Sequence, residues 1–421
     1  MPAMKTSHAR FKNDITNGTI YSSGTSTVVF DALPDSPLVT IPMIAAISKW
    51  YEFYFDVVLR GPIVRINPFE LHVEDKYERY EWMSGRIGAN ATTSSTVKSD
   101  LHAIRRAPLD PVFSKRSIIK FEPRIASYEG SEKILILNNA FNACSGDLDS
   151  PDFHDNFHPA YEAVRKFAHL GLQFPATFID LAAKITNIVN GKGDAHHKCD
   201  YSTIFSELLG SNLPLKEKSL SRLGAEAQQL IGAGLETVAW ALTTTVFHLV
   251  NNPSTLKKLQ AELKAAIPDP TAILDSLHLE RLPYLTGCVR EGVRMSTGVS
   301  VRLPRVSRDK PMKYGDWVIP TGTPVSMTTL DVLNDTEIFE NPRAFVPERW
   351  LENPKTSEVE HLTRYFVPFG KGPRMCIGIN LANVELYRVL TTLFRRFTFE
   401  LYDTDISDIE IAHDFFVPSP K

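Results

Sequence analysis

The chain has 421 residues, 43% hydrophobic and 23% charged, which suits a soluble globular protein with one large core or two to three ordinary domains. A net charge of −3 gives no broad basic field for nucleic acid and no acidic tail. Four cysteines, Cys144, Cys199, Cys288 and Cys376, stand far apart with no CxxC spacing. That argues against a disulfide framework or a structural zinc and points to a reducing, intracellular setting.

Residues 1–30 are polar and broken by Gly, Ser and Thr. They read as a poorly ordered lead-in without an apolar run for a signal peptide or membrane anchor, which leaves residues 31–421 as a single domain. Residues 38–60 read as helical and aromatic-rich, and residues 62–73 alternate as a strand does. A mixed helix and loop pattern covers residues 102–185. In residues 194–200, His196, His197 and Cys199 crowd a polar stretch with no second ligand pair at sensible spacing, which suits a solvated loop better than a metal site. Residues 219–250 form one long helical pattern stopped by Asn251, Asn252 and Pro253. Such a helix runs roughly 45 Å and is apolar enough to belong in the core. Helical patterns follow over residues 255–266 and 284–297, short strands over residues 314–328, and a last helix from about Cys376 to Arg396. The predicted class is mainly α with a small β part.

The segment FVPFGKGPRMCIGINLA, residues 366–382, is the most informative. Gly370 and Gly372 let the backbone turn tightly and approach a flat ligand. Cys376 comes just before a helix, where free amides and the macrodipole favour a thiolate. A buried cysteine in a glycine-rich turn is the plainer reading of the same residues. The spacing F-G-x-G-x-R-x-C-x-G, met by Phe369, Gly370, Gly372, Arg374, Cys376 and Gly378, resembles the haem-ligand signature of the cytochrome P450 family. Further segments match in order. Glu291 and Arg294 lie at i,i+3 on one helix face, and Arg349 in FVPERW resembles the arginine that completes the family's Glu-Arg-Arg network, a structural rather than chemical device. In AGLETV, Ala233 and Gly234 leave room for a ligand, while Glu236 and Thr237 resemble the acid and hydroxyl of the family's oxygen groove. For Thr237 taken alone, a hydroxyl bonded back to the carbonyl four residues earlier is the ordinary alternative.

The resemblance extends from about Ser48 to Val417, with a filamentous-fungal, secondary-metabolism flavour in segments such as VIPTGTPVSM. It implies the triangular, mostly helical haem-thiolate fold. It also implies haem b with Cys376 as axial ligand, Thr237 and Glu236 as the catalytic pair, and His102, Arg106, Arg305 and Arg374 around the propionates. Phe369, Gly370, Ala233 and Gly378 would line the macrocycle. The implied reaction inserts one oxygen atom from O2 into an apolar small molecule of terpenoid or polyketide type. Electrons would come from NADPH through a flavoprotein reductase, with the chain a monomer, cytoplasmic or peripheral to the endoplasmic reticulum. Ala233, Glu236 and Thr237, with residues 299–301 and part of residues 86–96, are expected to line the pocket. Two places depart from the family pattern, at Arg60–Gly61–Pro62 and over residues 143–152, as if two core helices were shortened or lacking. A haem-thiolate isomerase or dehydratase, and a non-catalytic haem-binding remnant, are the alternative functions.

Overall fold

The computed structural model describes residues 19–21, 27–33, 36–40, 77–84, 91–127, 204–272, 274–314, 317–326, 328–351 and 358–420. The chain divides into two compact units, Met1–Arg65 and Ile66–Lys421. In the first, β1 (Thr19–Tyr21), β2 (Thr27–Leu33) and β3 (Ser36–Thr40) pair as an antiparallel meander. β1 and most of β2 fall within the expected lead-in, and β3 overlaps the start of the expected helix at 38–60. The rest of that helix, the strand at 62–73, the His196–His197–Cys199 stretch and both departures from the family pattern lie outside the described residues.

Among the described residues of the second unit the first element is the two-residue strand β4 (Glu78–Arg79); after the single helical turn Glu81–Ser84 come helices α1 (Ser99–Arg106) and α2 (Lys115–Ser127). After α3 (Ile204–Gly210) comes the long α4 (Leu220–Val250), which matches the sequence pattern within a residue. Pro253 has no amide to extend α4, and instead takes the first position of α5 (Pro253–Ala266), whose N-cap Asn252 accepts from the Thr255 amide. The start of α6 (Pro283–Ser296) is capped from its neighbour: Glu262 of α5 accepts the Tyr284 and Leu285 amides at 2.8 Å each.

Strands β5 (Arg305–Val306), β6 (Met312–Tyr314), β7 (Trp317–Ile319) and β8 (Pro324–Val325) are all short. β5 runs between β4 and β8 in one sheet, and β6 pairs with β7 in another. Helices α7 (Thr329–Leu333), α8 (Glu358–Tyr365) and α9 (Ile379–Arg396) precede a closing hairpin of β9 (His413–Phe415) and β10 (Val417–Ser419). Among the described residues α4 is long and apolar enough to cross a membrane by length and composition, but it is also the helix on which the core is assembled. Its Leu223, Ala227, Val238 and Ala241 join Leu285, Cys288 and Val289 of α6 and Leu386 and Leu390 of α9 in one buried cluster. Gly292 lets α6 reach α4, because a Cβ there would collide with the Thr245 side chain.

Candidate active site

The loop before α9 is bent by two left-handed glycines, Gly370 at φ +66° and Gly372 at φ +75°. The bend lets the Cys376 amide donate to the Phe369 carbonyl at 2.8 Å, which pins the loop against itself. This bond keeps Cys376 out of the helix, so α9 begins at Ile379 with Gly378 as its N-cap rather than at Cys376 as expected. The sulfur still benefits from the turn, since the Gly378 backbone donates to it. Cys376 is exposed only in the sense that it opens onto an internal cavity. The protein wall around that cavity outweighs the Gly378 bond and Arg106, and pushes the thiol up. A thiolate in such a place needs a cation bound at the sulfur.

The cavity has a volume of about 410 Å³ and a mainly apolar wall. Phe369, Gly370, Cys376 and Gly378 form its floor, and Ala233, Gly234, Thr237 and Val238 of α4 face it. The Thr237 hydroxyl donates to the Ala233 carbonyl at 2.8 Å, the ordinary helical bond, and its oxygen keeps acceptor capacity toward the cavity. Glu236 is not part of the wall. Val299, Val301, Thr93 and Ser94 line the cavity, as expected of their two segments.

One end of the cavity gathers basic side chains. His102 and Arg106 come from α1, Arg305 from β5 and Arg374 from the turn before Cys376. Arg374 donates to the Thr96 and Val97 carbonyls, and Arg106 to the Met375 carbonyl at 2.7 Å. The fifth member is Arg79, which the sequence reading missed. It lies on β4 directly opposite Arg305 on β5, so the two guanidiniums share a face. Like charges at such a pair repel. Burial pushes Arg79 down to about 9, with Arg305 and Arg374 adding to the effect. Burial also takes Arg305 and Arg374 down to about 10 each, and His102 to about 3, which keeps that ring neutral. Among the described residues no carboxylate is ion-paired with Arg79, Arg305 or Arg374, and the buried Arg79 Nε has no hydrogen-bond partner. Glu78, which acts on Arg374 from a distance, is itself paired with Arg308.

Glu291 is fully buried and ties α6 to the segment Val346–Trp350. Arg294 donates to both its oxygens at 2.9 and 3.0 Å, Arg349 to Oε1 at 2.9 Å and Trp350 Nε1 to Oε2 at 2.7 Å. Arg294 also donates to the carbonyls of Leu333 and Pro342. The trio is the network expected of Glu291, Arg294 and Arg349, and it fixes the segment that leads to the Cys376 loop.

A group suited to this cavity is flat, offers carboxylates to the unpaired guanidiniums and carries a metal that accepts a thiolate. Iron protoporphyrin IX meets each requirement. The Cytochrome P450 family model matches residues 145–421. The chain is 54% identical to cytochrome P450 monooxygenase sdnE of Sordaria araneosa, over 92% of each chain. It is 38% identical to tryptophan 6-hydroxylase fscE of Fusarium equiseti, over 92% of this chain and 90% of that one. The cytochrome P450DA haem domain shares the fold at a TM-score of 0.62 and 17% identity, covering 84% of this chain and 82% of that one. The sdnE alignment runs over 473 residues, longer than this chain, so stretches of that relative have no counterpart here. The chain belongs to the cytochrome P450 family. It is a haem monooxygenase of secondary metabolism that takes electrons from NADPH through a reductase and acts on a small molecule.

Proposed function

We propose that the cavity is the oxygenation site, where Cys376 would hold the iron of haem b and Thr237 is the hydroxyl that holds a proton for oxygen activation. The observation that carries this reading is the meeting, in one cavity, of the Cys376 sulfur, the Thr237 hydroxyl and the unpaired Arg79, Arg305 and Arg374. When bound, the haem would supply the oxidising chemistry. The chain's residues do the rest. Arg79, Arg305, Arg374 and Arg106 would hold the propionates, with neutral His102 beside them as a hydrogen-bonding ring. Thr237 keeps a proton at its Oγ1 or orders a water there, and the apolar wall excludes bulk water. Glu236, next to Thr237 on α4, is the acid of the pair in this reading.

The substrate in this reading is an apolar molecule of terpenoid or polyketide type, and the electron donor a flavoprotein reductase. The protein works as a monomer inside the cell, in the cytoplasm or at the surface of the endoplasmic reticulum. Purified holoprotein with NADPH and a fungal reductase tests the Thr237 assignment. Thr237→Ala is expected to keep consuming NADPH while releasing several-fold more peroxide than the wild type. Unchanged peroxide release would remove Thr237 from the mechanism, and no reductase-dependent NADPH consumption would favour the isomerase reading.

A further inference from the structure

One buried acid on the cavity wall belongs to neither the cation cluster nor the oxygen end. Glu226 of α4 is 1% exposed and lines the cavity. Its Oε2 is saturated: it accepts from the Thr93 amide at 2.8 Å, the Thr93 hydroxyl at 2.9 Å and Arg222 Nη2 at 2.9 Å. Its Oε1 accepts nothing among the described residues. Arg222 in turn donates to the Glu217 carbonyl, and Glu217 pairs with Arg105 of α1 at 2.7 Å, so the carboxylate is held rigidly. Burial outweighs Arg222 and raises the Glu226 carboxyl above the ordinary range. A further donor at Oε1 would therefore be favourable.

The positions along α4 give this a direction. Glu226, Leu230, Ala233, Thr237 and Ala241 recur at intervals of three and four residues and all line the cavity. Eleven residues separate Glu226 from Thr237, roughly 16 Å along the axis at about 1.5 Å per residue. Thr93, Ser94, Glu226 and Gln229 make the far end polar, while Leu230, Ala233, Val299 and Val301 make the stretch between apolar. We infer that Glu226 is a specificity-determining residue whose Oε1 accepts a hydrogen bond from an O–H or N–H group at one end of an elongated, otherwise apolar substrate. The opposite end of that substrate then lies at Thr237. This rests on the reading of Thr237 as the oxygen end. It makes the substrate an amphipathic molecule that already carries a hydroxyl or amino group, not a bare hydrocarbon.

Equilibrium dialysis of the holoprotein with decan-1-ol and decane tests this, because these probes differ only in one terminal hydroxyl. The wild type is expected to bind the alcohol on the order of tenfold more tightly, and Glu226→Leu to bring the ratio close to one with decane affinity unchanged. Because Glu226→Leu strands Arg222, the double variant Glu226→Leu with Arg222→Leu removes both charges together and is expected to give the same ratio. Equal affinity for the two probes in the wild type, or a preference that survives in both variants, overturns the inference. Dialysis does not depend on how the iron is ligated, so a carbon monoxide spectrum of the same sample reports separately on Cys376. A lost thiolate signature with the alcohol preference intact would sink the oxygenation reading and leave the Glu226 contact standing.

Discussion

Arg79 shows how a single residue announces an absent partner. A guanidinium whose Nε is buried without a partner, set opposite a second guanidinium, is costly in an empty protein and favourable beside a carboxylate. Arg79→Leu is therefore expected to weaken haem retention by about 1.5–3 kcal/mol, the worth of a charge-assisted hydrogen bond, while stabilising the haem-free protein. Haem transfer to apomyoglobin measures the first and urea unfolding the second; a variant that keeps haem as well as the wild type would take Arg79 out of the site. Glu385 is the opposite case, an acid on the wall with both carboxylate oxygens unpartnered. Burial holds its carboxyl well above the ordinary 4.5. Above that pH the unfolded chain releases a proton that the folded chain keeps, so folding stability falls as pH rises. Glu385→Gln is expected to raise the urea midpoint at pH 8 and to leave it unchanged near pH 4, and equal midpoints at both would contradict the assignment. Cys376 and its glycines were legible in the sequence because their geometry is local. Arg79, Glu226 and Glu385 were not, because each matters only through burial and through partners distant in the chain.

At the scale of elements, the site depends on how α6 meets α4 and on the Glu291 network. Gly292→Ala is expected to destabilise the protein by about 1–3 kcal/mol, the cost of overpacking a close helix contact. A wild-type urea midpoint in that variant would mean the helices have room to part. Glu291→Ala leaves the Arg294 and Arg349 guanidiniums without their carboxylate and is expected to cost about 3–5 kcal/mol and to lose haem. Soluble variant protein with full haem content would contradict the scaffold role. The helices at 219–250, 255–266 and 284–297 were legible because long apolar periodicity and a Pro-marked boundary survive any tertiary context. Strands of two or three residues carry no such period, and β4, which brings Arg79 to the site, is two residues long.

Across the whole second unit, one long helix, one cysteine loop and one sheet edge enclose a cavity whose ends differ in chemistry. Basic side chains gather along one edge, and the Thr237 hydroxyl and Glu226 carboxylate line the cavity eleven residues apart on the long helix. The central claim is that this cavity seats haem with Cys376 thiolate on its iron. The most direct measurement is the reduced carbon monoxide difference spectrum of the purified protein, read beside Cys376→Ser. A strongly red-shifted Soret band in the wild type, absent from the variant, is the predicted result. A band at the ordinary haem position in the wild type, or no haem at all, would contradict it.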